Sequence, residues 1–234
     1  MYACALLGRW NSTFVDEYGT KIDALMYDVA HSSHGSSEDT KGAFFPLARH
    51  KSWFDGHSFA SGLFPFASGK SMESSSESIN CYYGAYLLSL VLDNTTSKQR
   101  NAPHVDFARL LLAMEIRSVQ IYWHMKQSGS GKTANTPLMY NPTFANHLMV
   151  GNLGMMDATV STWFGNNPLY VHMINFMPIT AITRELFQTE YLEAEFTKVI
   201  QPIYDGVEMA WKGYVICDRA MLNPNKAWND ALKL

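Results

Sequence analysis

The stretch from Val105 to Met125 constrains the fold more than any other. It is dense in Leu, Ala, Met and Ile and ends on an aromatic turn, Ile121-Tyr122-Trp123-His124. Apolar residues recurring at helical spacing over such a length must be buried against a partner face. A chain that contains it is drawn toward a packed helical domain.

Shorter runs repeat the pattern. Tyr2 to Trp10 reads as a helix with no cap residue before it. Thr20 to Ala30 places Ile22, Leu25, Met26 and Val29 at helical spacing. Met72 to Leu92 predicts a helix with Ser71 as N-cap and Ile79, Tyr82, Tyr83, Tyr86, Leu87, Leu90 and Val91 as its buried face. Tyr170 to Met177, Thr183 to Phe187, Tyr191 to Ile200 and Ile203 to Val215 supply further helix, with Pro178 and Pro202 marking breaks. His147 to Thr162 reads as a short β-hairpin with Asp157 inside it. Loops are expected at His31 to Ser36, Phe44 to Gly69, Asp93 to Asn101 and Gln127 to Asn135. The second is long and rich in Gly, Pro and aromatics, and long irregular connections in compact domains are usually functional. The expected class is mainly α with a minor β-hairpin element.

Composition narrows the function. With 234 residues, 47% hydrophobic and 17% charged, the chain can bury a substantial core. A net charge of −3 and the absence of adjacent Lys/Arg residues argue against a nucleic-acid partner. No apolar run is long enough to cross a membrane. Cys4, Cys81 and Cys217 cannot all pair within the chain, and buried free thiols are expected, with a single disulfide as the alternative. The histidines lack metal-ligand spacing, so neither a metal nor a cofactor is implied.

The segment from Arg49 to Tyr83 stands apart. Its first half, Trp53-Phe54-Asp55-Gly56-His57-Ser58-Phe59, crowds aromatic rings around an acid and an imidazole. Its second, Glu73-Ser74-Ser75-Ser76-Glu77, spaces two carboxylates four residues apart. On the expected helix these share one face. Adjacent like charges and three serines work against folding, which marks a functional surface. Structural alternatives exist for both halves. An acidic first turn complements the helix dipole, and Asp55-Gly56 favours a tight turn.

WFDGHSFASGLF followed by GKSMESSSESINCYYGAYLL closely resembles the signature region of the glycoside hydrolase family 81 endo-β-1,3-glucanases. That family reads W-Y/F-D-G-H-S-W-A-S-G-L and then Q-E-S-S-S-E-A-x-N-x-Y-Y-G. Thr162-Trp163-Phe164-Gly165, Pro168-Leu169-Tyr170-Val171-His172, Met177-Pro178-Ile179-Thr180 and Trp211-Lys212-Gly213 are similar to later family motifs, in family order. The resemblance covers essentially the whole chain. It implies the C-terminal portion of an (α/α)6 barrel over residues 1–234, with the family's N-terminal β-sandwich and first barrel helices absent. It also implies endo-hydrolysis of β-1,3-glucan, a laminarin-like polysaccharide, by an inverting mechanism.

Glycoside hydrolysis needs two carboxyl groups flanking the scissile bond. Carried over residue by residue, the resemblance makes Glu73 the general base and Glu77 the neighbour that positions water or tunes the base. A like charge beside Glu73 would raise its proton affinity. The resemblance gives Trp53, Asp55, His57, Phe59, Tyr83, Trp163 and His172 as substrate-binding residues, with Tyr82 and Phe164 also plausible in the groove. Core packing is an equal alternative for Tyr82, Tyr83, Trp163, Phe164 and His172, and a hydrogen-bonded buried pair is the alternative for His57-Ser58. Phe59 stands where the family has Trp, and Met72 where it has Gln. The family's general acid, an aspartate within N-D-H-H-F-H-Y-G, is expected to precede Tyr2 and so to fall outside this chain. Asp55 ranks as a groove contact first, a turn residue second and a replacement acid a distant third.

Two other classes compete. One is β-glucan binding without turnover, since plant relatives of the family serve as elicitor receptors. The other is a polysaccharide lyase, which needs cations against uronate carboxylates. The signature stretch offers only Arg49, Lys51 and Lys70. An extracellular or cell-wall location is expected from the resemblance and from the glycosylation tripeptides Asn11-Ser12-Thr13 and Asn94-Thr95-Thr96, although MYACALLGRW does not read as a signal peptide.

Overall fold

The computed structural model describes residues 1–30, 47–60, 67, 69–95, 103–126 and 139–234. The loops expected at 31–36 and 127–135 lie outside these residues, as do parts of those at 44–69 and 93–101 and Thr96 of the second tripeptide. The chain divides into two compact units, 1–59 with 78–117 and 60–77 with 118–234.

The first unit is helical. α1 (Tyr2–Trp10) matches its expected span, whereas α2 (Ser12–Val29) begins well before Thr20. Its start is set by Asn11, whose side chain accepts the Thr13 N–H at 3.1 Å. Gly8 lets the two helices approach, because a Cβ there would meet Val15 and Val91 methyls at 2.8 Å. α3 (Ser75–Thr95) contributes most of its length, burying Ile79, Tyr82, Ala85, Leu88 and Leu92 at helical spacing. α4 (Pro103–Tyr122) buries Ala108, Leu111, Leu112 and Glu115 within this unit. A buried glutamate on an otherwise apolar face requires a partner.

The second unit combines a small sheet with short helices. β1 (Ser71–Met72), β2 (Asn152–Gly154) and β3 (Ala158–Thr159) form an antiparallel sheet in the order β1-β2-β3. β2 and β3 are the expected hairpin, with Asp157 at its exposed turn. β1 is a third strand that periodicity does not reveal, placing Met72 against Leu153. α5 (Pro142–Ala145) follows the segment outside the described residues. α6 (Pro168–Phe176), α7 (Thr183–Leu186) and α8 (Thr189–Glu195) come after the sheet. α8 runs through a π-helical turn, Phe196–Ile200, into α9 (Gln201–Ile203), and α10 (Met209–Leu222) and α11 (Pro224–Ala231) close the chain. Leu169, Met173, Phe196, Ile200, Val207 and Val215 make its core.

The three cysteines are free. Cys4 and Cys81 are half-buried and Cys217 is exposed, which corrects the expectation of buried thiols. Among the described residues no helix is long and apolar enough to cross a membrane.

Candidate active site

Glu73 does not stand on a helix. Residues 71–72 are drawn into β1 by pairing with β2, and α3 begins at Ser75, so the expected helical face shared by Glu73 and Glu77 is not formed. Glu73 occupies the corner between strand and helix, and Glu77 lies in the first turn of α3. Ser74, not Ser71, is the cap: its Oγ accepts the Glu77 N–H at 3.4 Å. Ser74-x-x-Glu77 is the first part of a capping box, a signal present in the sequence.

The corner is tightly fixed. Glu73 is 8% exposed, whereas Glu77 is exposed. The Trp163 backbone N–H donates to Glu73 Oε2 at 2.5 Å. Burial pushes the Glu73 carboxyl above its ordinary value of 4.5, the Trp163 N–H pulls it back, and the Glu77 charge raises it. The upward direction agrees with the sequence reading, but burial exceeds Glu77 as its cause. Trp163 belongs to a turn in which Thr162 N–H donates to the Gly165 carbonyl at 2.8 Å. That turn leaves the Trp163 and Phe164 rings about half exposed. Glu73 and Trp163 are therefore brought together in the second unit.

Trp53, Asp55, His57, Phe59 and Tyr83 lie in the first unit. Trp53 to Gly56 form a tight turn in which Ser52 C=O accepts the Gly56 N–H at 2.8 Å and Gly56 takes φ +85°. The turn reading of Asp55-Gly56 is thus realised, with the Ser52 hydroxyl donating to Asp55 Oδ2 at 2.7 Å. Trp53 and Phe54 are exposed at its tip. His57 is turned inward at 2% exposure, its Nδ1 3.1 Å from the Ser58 carbonyl and its ring edge-on to Phe59. This withdraws His57 as a direct substrate contact. Tyr83 is half-buried against Tyr2, with ring centroids 5.8 Å apart.

Beneath the turn lies a polar network that sequence reasoning missed. Lys51 Nζ donates to Glu115 Oε2 at 2.5 Å, to Gly56 C=O at 2.9 Å and to Leu111 C=O at 3.1 Å. Glu115 also accepts the Ser58 N–H at 2.9 Å and the Ser58 hydroxyl at 3.1 Å, and Ser58 Oγ is 2.7 Å from Tyr82 OH. Tyr82 is therefore an interior residue, its ring 4.5 Å from Lys51 Nζ. Lys51 and Glu115 are 64 positions apart, so no local pattern links them.

His172 also requires correction. It is 1% exposed, with Nε2 donating to the His147 carbonyl at 3.1 Å and Nδ1 2.7 Å from Glu195 Oε1. An interior imidazole with both nitrogens engaged does not reach a bound sugar. Burial lowers the His172 imidazole to about 4 and raises the Glu195 carboxyl to about 8. At neutral pH the contact is accordingly a neutral hydrogen bond, with the protonated carboxyl donating to Nδ1. Asp218 is raised well above its ordinary value by burial and by Glu195. Among the described residues no His/Cys/Asp/Glu group suits a metal ion.

The family description "Glycosyl hydrolase family 81 C-terminal domain" matches residues 1–233, and the chain belongs to glycoside hydrolase family 81. It is 29% identical over 224 residues to glucan endo-1,3-beta-D-glucosidase 2 of Saccharomyces cerevisiae, covering 96% of this chain and 26% of that protein. It is 25% identical over 230 residues to the primary septum glucan endo-1,3-beta-D-glucosidase of Schizosaccharomyces pombe, covering 97% of this chain and 20% of the relative. The chain thus spans about a quarter of the length of the curated relatives it matches. A solved glycoside hydrolase family 81 structure from Clostridium thermocellum superposes with a TM-score of 0.77 at 24% identity, over 97% of this chain and 29% of that one. The mainly α fold, the C-terminal part of an α-barrel with a small antiparallel sheet, is therefore borne out.

Proposed function

We propose that this chain carries the general-base side of an endo-acting β-1,3-glucan hydrolase of inverting mechanism. The observation that carries the reading is the Glu73 corner: a glutamate shielded enough to hold its proton more tightly than usual, fixed by one backbone N–H beside two exposed aromatic rings. A base whose proton affinity approaches the working pH is more effective than an ordinary carboxylate. Glu73 removes a proton from water as the water oxygen attacks the anomeric carbon and the glycosidic C–O bond breaks. The leaving oxygen takes its proton from a general acid, which the family resemblance places N-terminal to Tyr2. Glu77, exposed in the first turn of α3, orients that water or tunes Glu73.

Trp163 and Phe164 offer stacking faces for glucosyl rings, and Trp53, Phe59, Asp55 and Tyr83 are the contacts assigned to the first unit. The primary septum named for the fission-yeast relative supports an extracellular or cell-wall location.

The test is Glu73→Gln in the protein expressed from its full gene, assayed on laminarin-like glucan. Oligosaccharide release is expected to fall about 10²- to 10⁴-fold with glucan binding retained. Undiminished release would remove Glu73 from the mechanism. Binding with no release by the unaltered protein would instead select the non-catalytic glucan-binding reading.

A further inference from the structure

Asn175, in the last turn of α6, has a side chain that is 0% exposed and makes four hydrogen bonds. Its Oδ1 accepts from the Ser75 N–H at 3.0 Å and the Ser75 hydroxyl at 2.8 Å. Its Nδ2 donates to the Val171 carbonyl at 2.9 Å and the Val150 carbonyl at 3.3 Å. One amide thus joins the first residue of α3, the body of α6 and the segment that leads into β2. The serines return the favour. Ser74 Oγ donates to the Ile174 carbonyl at 2.9 Å, and Ser76 Oγ bonds the carbonyls of Ile174 and Met177. The first N–H groups of a helix and the last carbonyls of another lack partners within their own helices. Here the start of α3 and the end of α6 cap each other.

Resting on the assignment of Glu73 above, we propose that Asn175 is a positioning residue for that base. It pins the corner so that the Glu73 carboxylate meets the Trp163 N–H. Glu73 is two residues before Ser75, and Met72 before it is paired to β2, whose lead-in Asn175 also holds. Only an uncharged amide meets the requirement. It accepts on one side and donates on the other. A carboxylate of the same shape would turn an oxygen toward two carbonyl oxygens and add negative charge near Glu73 and Glu77.

The experiment compares Asn175→Ala, Ser75→Ala and Glu73→Gln in the full-length protein, reading kcat, KM, the pH profile of kcat and thermal melting. Loss of Asn175 lets Glu73 drift from the Trp163 N–H, the one contact that lowers its proton affinity. Asn175→Ala is expected to lower kcat about 10- to 100-fold, as ångström-scale misplacement does, with KM little changed. The acidic limb of the profile should move to higher pH. Ser75→Ala removes the hydroxyl bond to Asn175 and keeps the N–H contact, so it should give a smaller displacement in the same direction. A lower melting temperature with kcat and limb unchanged in Asn175→Ala would overturn the proposal. Should that variant not fold, an unmoved limb in Ser75→Ala overturns it equally. Inactive Glu73→Gln alongside unaffected Asn175→Ala rejects the positioning role alone, whereas active Glu73→Gln rejects the base itself.

Discussion

The two signature segments are held by opposite means. The Trp53 to Gly56 turn rests on a buried ion pair, Lys51–Glu115, whose members are 0% exposed and bind backbone on both sides. The Glu73 corner rests on neutral groups: three serine hydroxyls, one amide and one backbone N–H. The difference has a physical reason. A cation a few ångströms from Glu73 would stabilise its ionised form and weaken it as a base. Neutral supports fix the corner while leaving burial and Glu77 to raise its proton affinity. Under the turn no such restriction applies, and charge-assisted bonds give a stiffer mount.

Breaking the charged mount should have the largest effect on stability. Lys51→Met leaves Glu115 buried without its cation and is expected to cost about 3–5 kcal/mol in denaturant unfolding. Lys51→Met combined with Glu115→Leu should recover most of that loss. A single variant within about 0.5 kcal/mol of the parent would show that the ion pair is not the support.

Next in size is the pH dependence of the second unit, whose interior holds proton-linked groups of both kinds. Glu195, raised from 4.5 to about 8, stabilises fully below 4.5 and loses that contribution as pH rises through about 8. His172 and His124, lowered from 6.5 to about 4 and about 3, stabilise fully above 6.5 and lose it as pH falls through those values. Asp218, raised in the same sense as Glu195, makes two acids that offset the two imidazoles over the middle of the range. Amide exchange in α8 and α10 should therefore be slowest, after correction for intrinsic rates, between about 4.5 and 6.5 and quicken on either side. Glu195→Gln should weaken the alkaline arm. An alkaline arm of unchanged steepness in that variant would exclude Glu195 as its source.

Smaller effects belong to the surface and to single hydroxyls. Trp163→Ala keeps the N–H that binds Glu73 and removes only the ring. KM on glucan should rise about tenfold, the equivalent of 1.4 kcal/mol, at unchanged melting temperature. A fall in kcat with KM constant would assign the ring to the base rather than to the sugar. Ser76→Ala removes one neutral pin and should cost about 0.5–1.5 kcal/mol, well below the Lys51 variant. Equal losses at the two sites would dissolve the contrast between them.

An apolar face at helical spacing made most of the helices legible, though not the first half of α2 or α11. α1 and α6 lie within a few residues of expectation, and the β2–β3 hairpin falls inside the stretch from His147 to Thr162 that reads as one. The start of α3 was misplaced because Ser71 and Ser74 are equally good caps in isolation. A two-residue strand paired with residues 153–154 decides between them, and no local pattern encodes that pairing. Glu73 and Glu77 were legible as a motif, but not as a buried and an exposed carboxylate on different elements. The resemblance points to a groove role for His57 and His172, with an interior place as the alternative for each. Their burial is set by partners such as Glu195, 23 positions away from His172. Lys51, Glu115 and Asn175 were invisible for the same reason: each acts through a contact with a distant segment.

The central claim is that Glu73 activates the attacking water, and anion rescue tests it most directly. In Glu73→Ala, azide needs no deprotonation and can attack the anomeric carbon in place of water while the leaving oxygen is protonated as before. The account predicts restored cleavage of β-1,3-glucan and a glucosyl azide of α configuration, inverted from the substrate. Absence of rescue, or a β-configured azide, would contradict it.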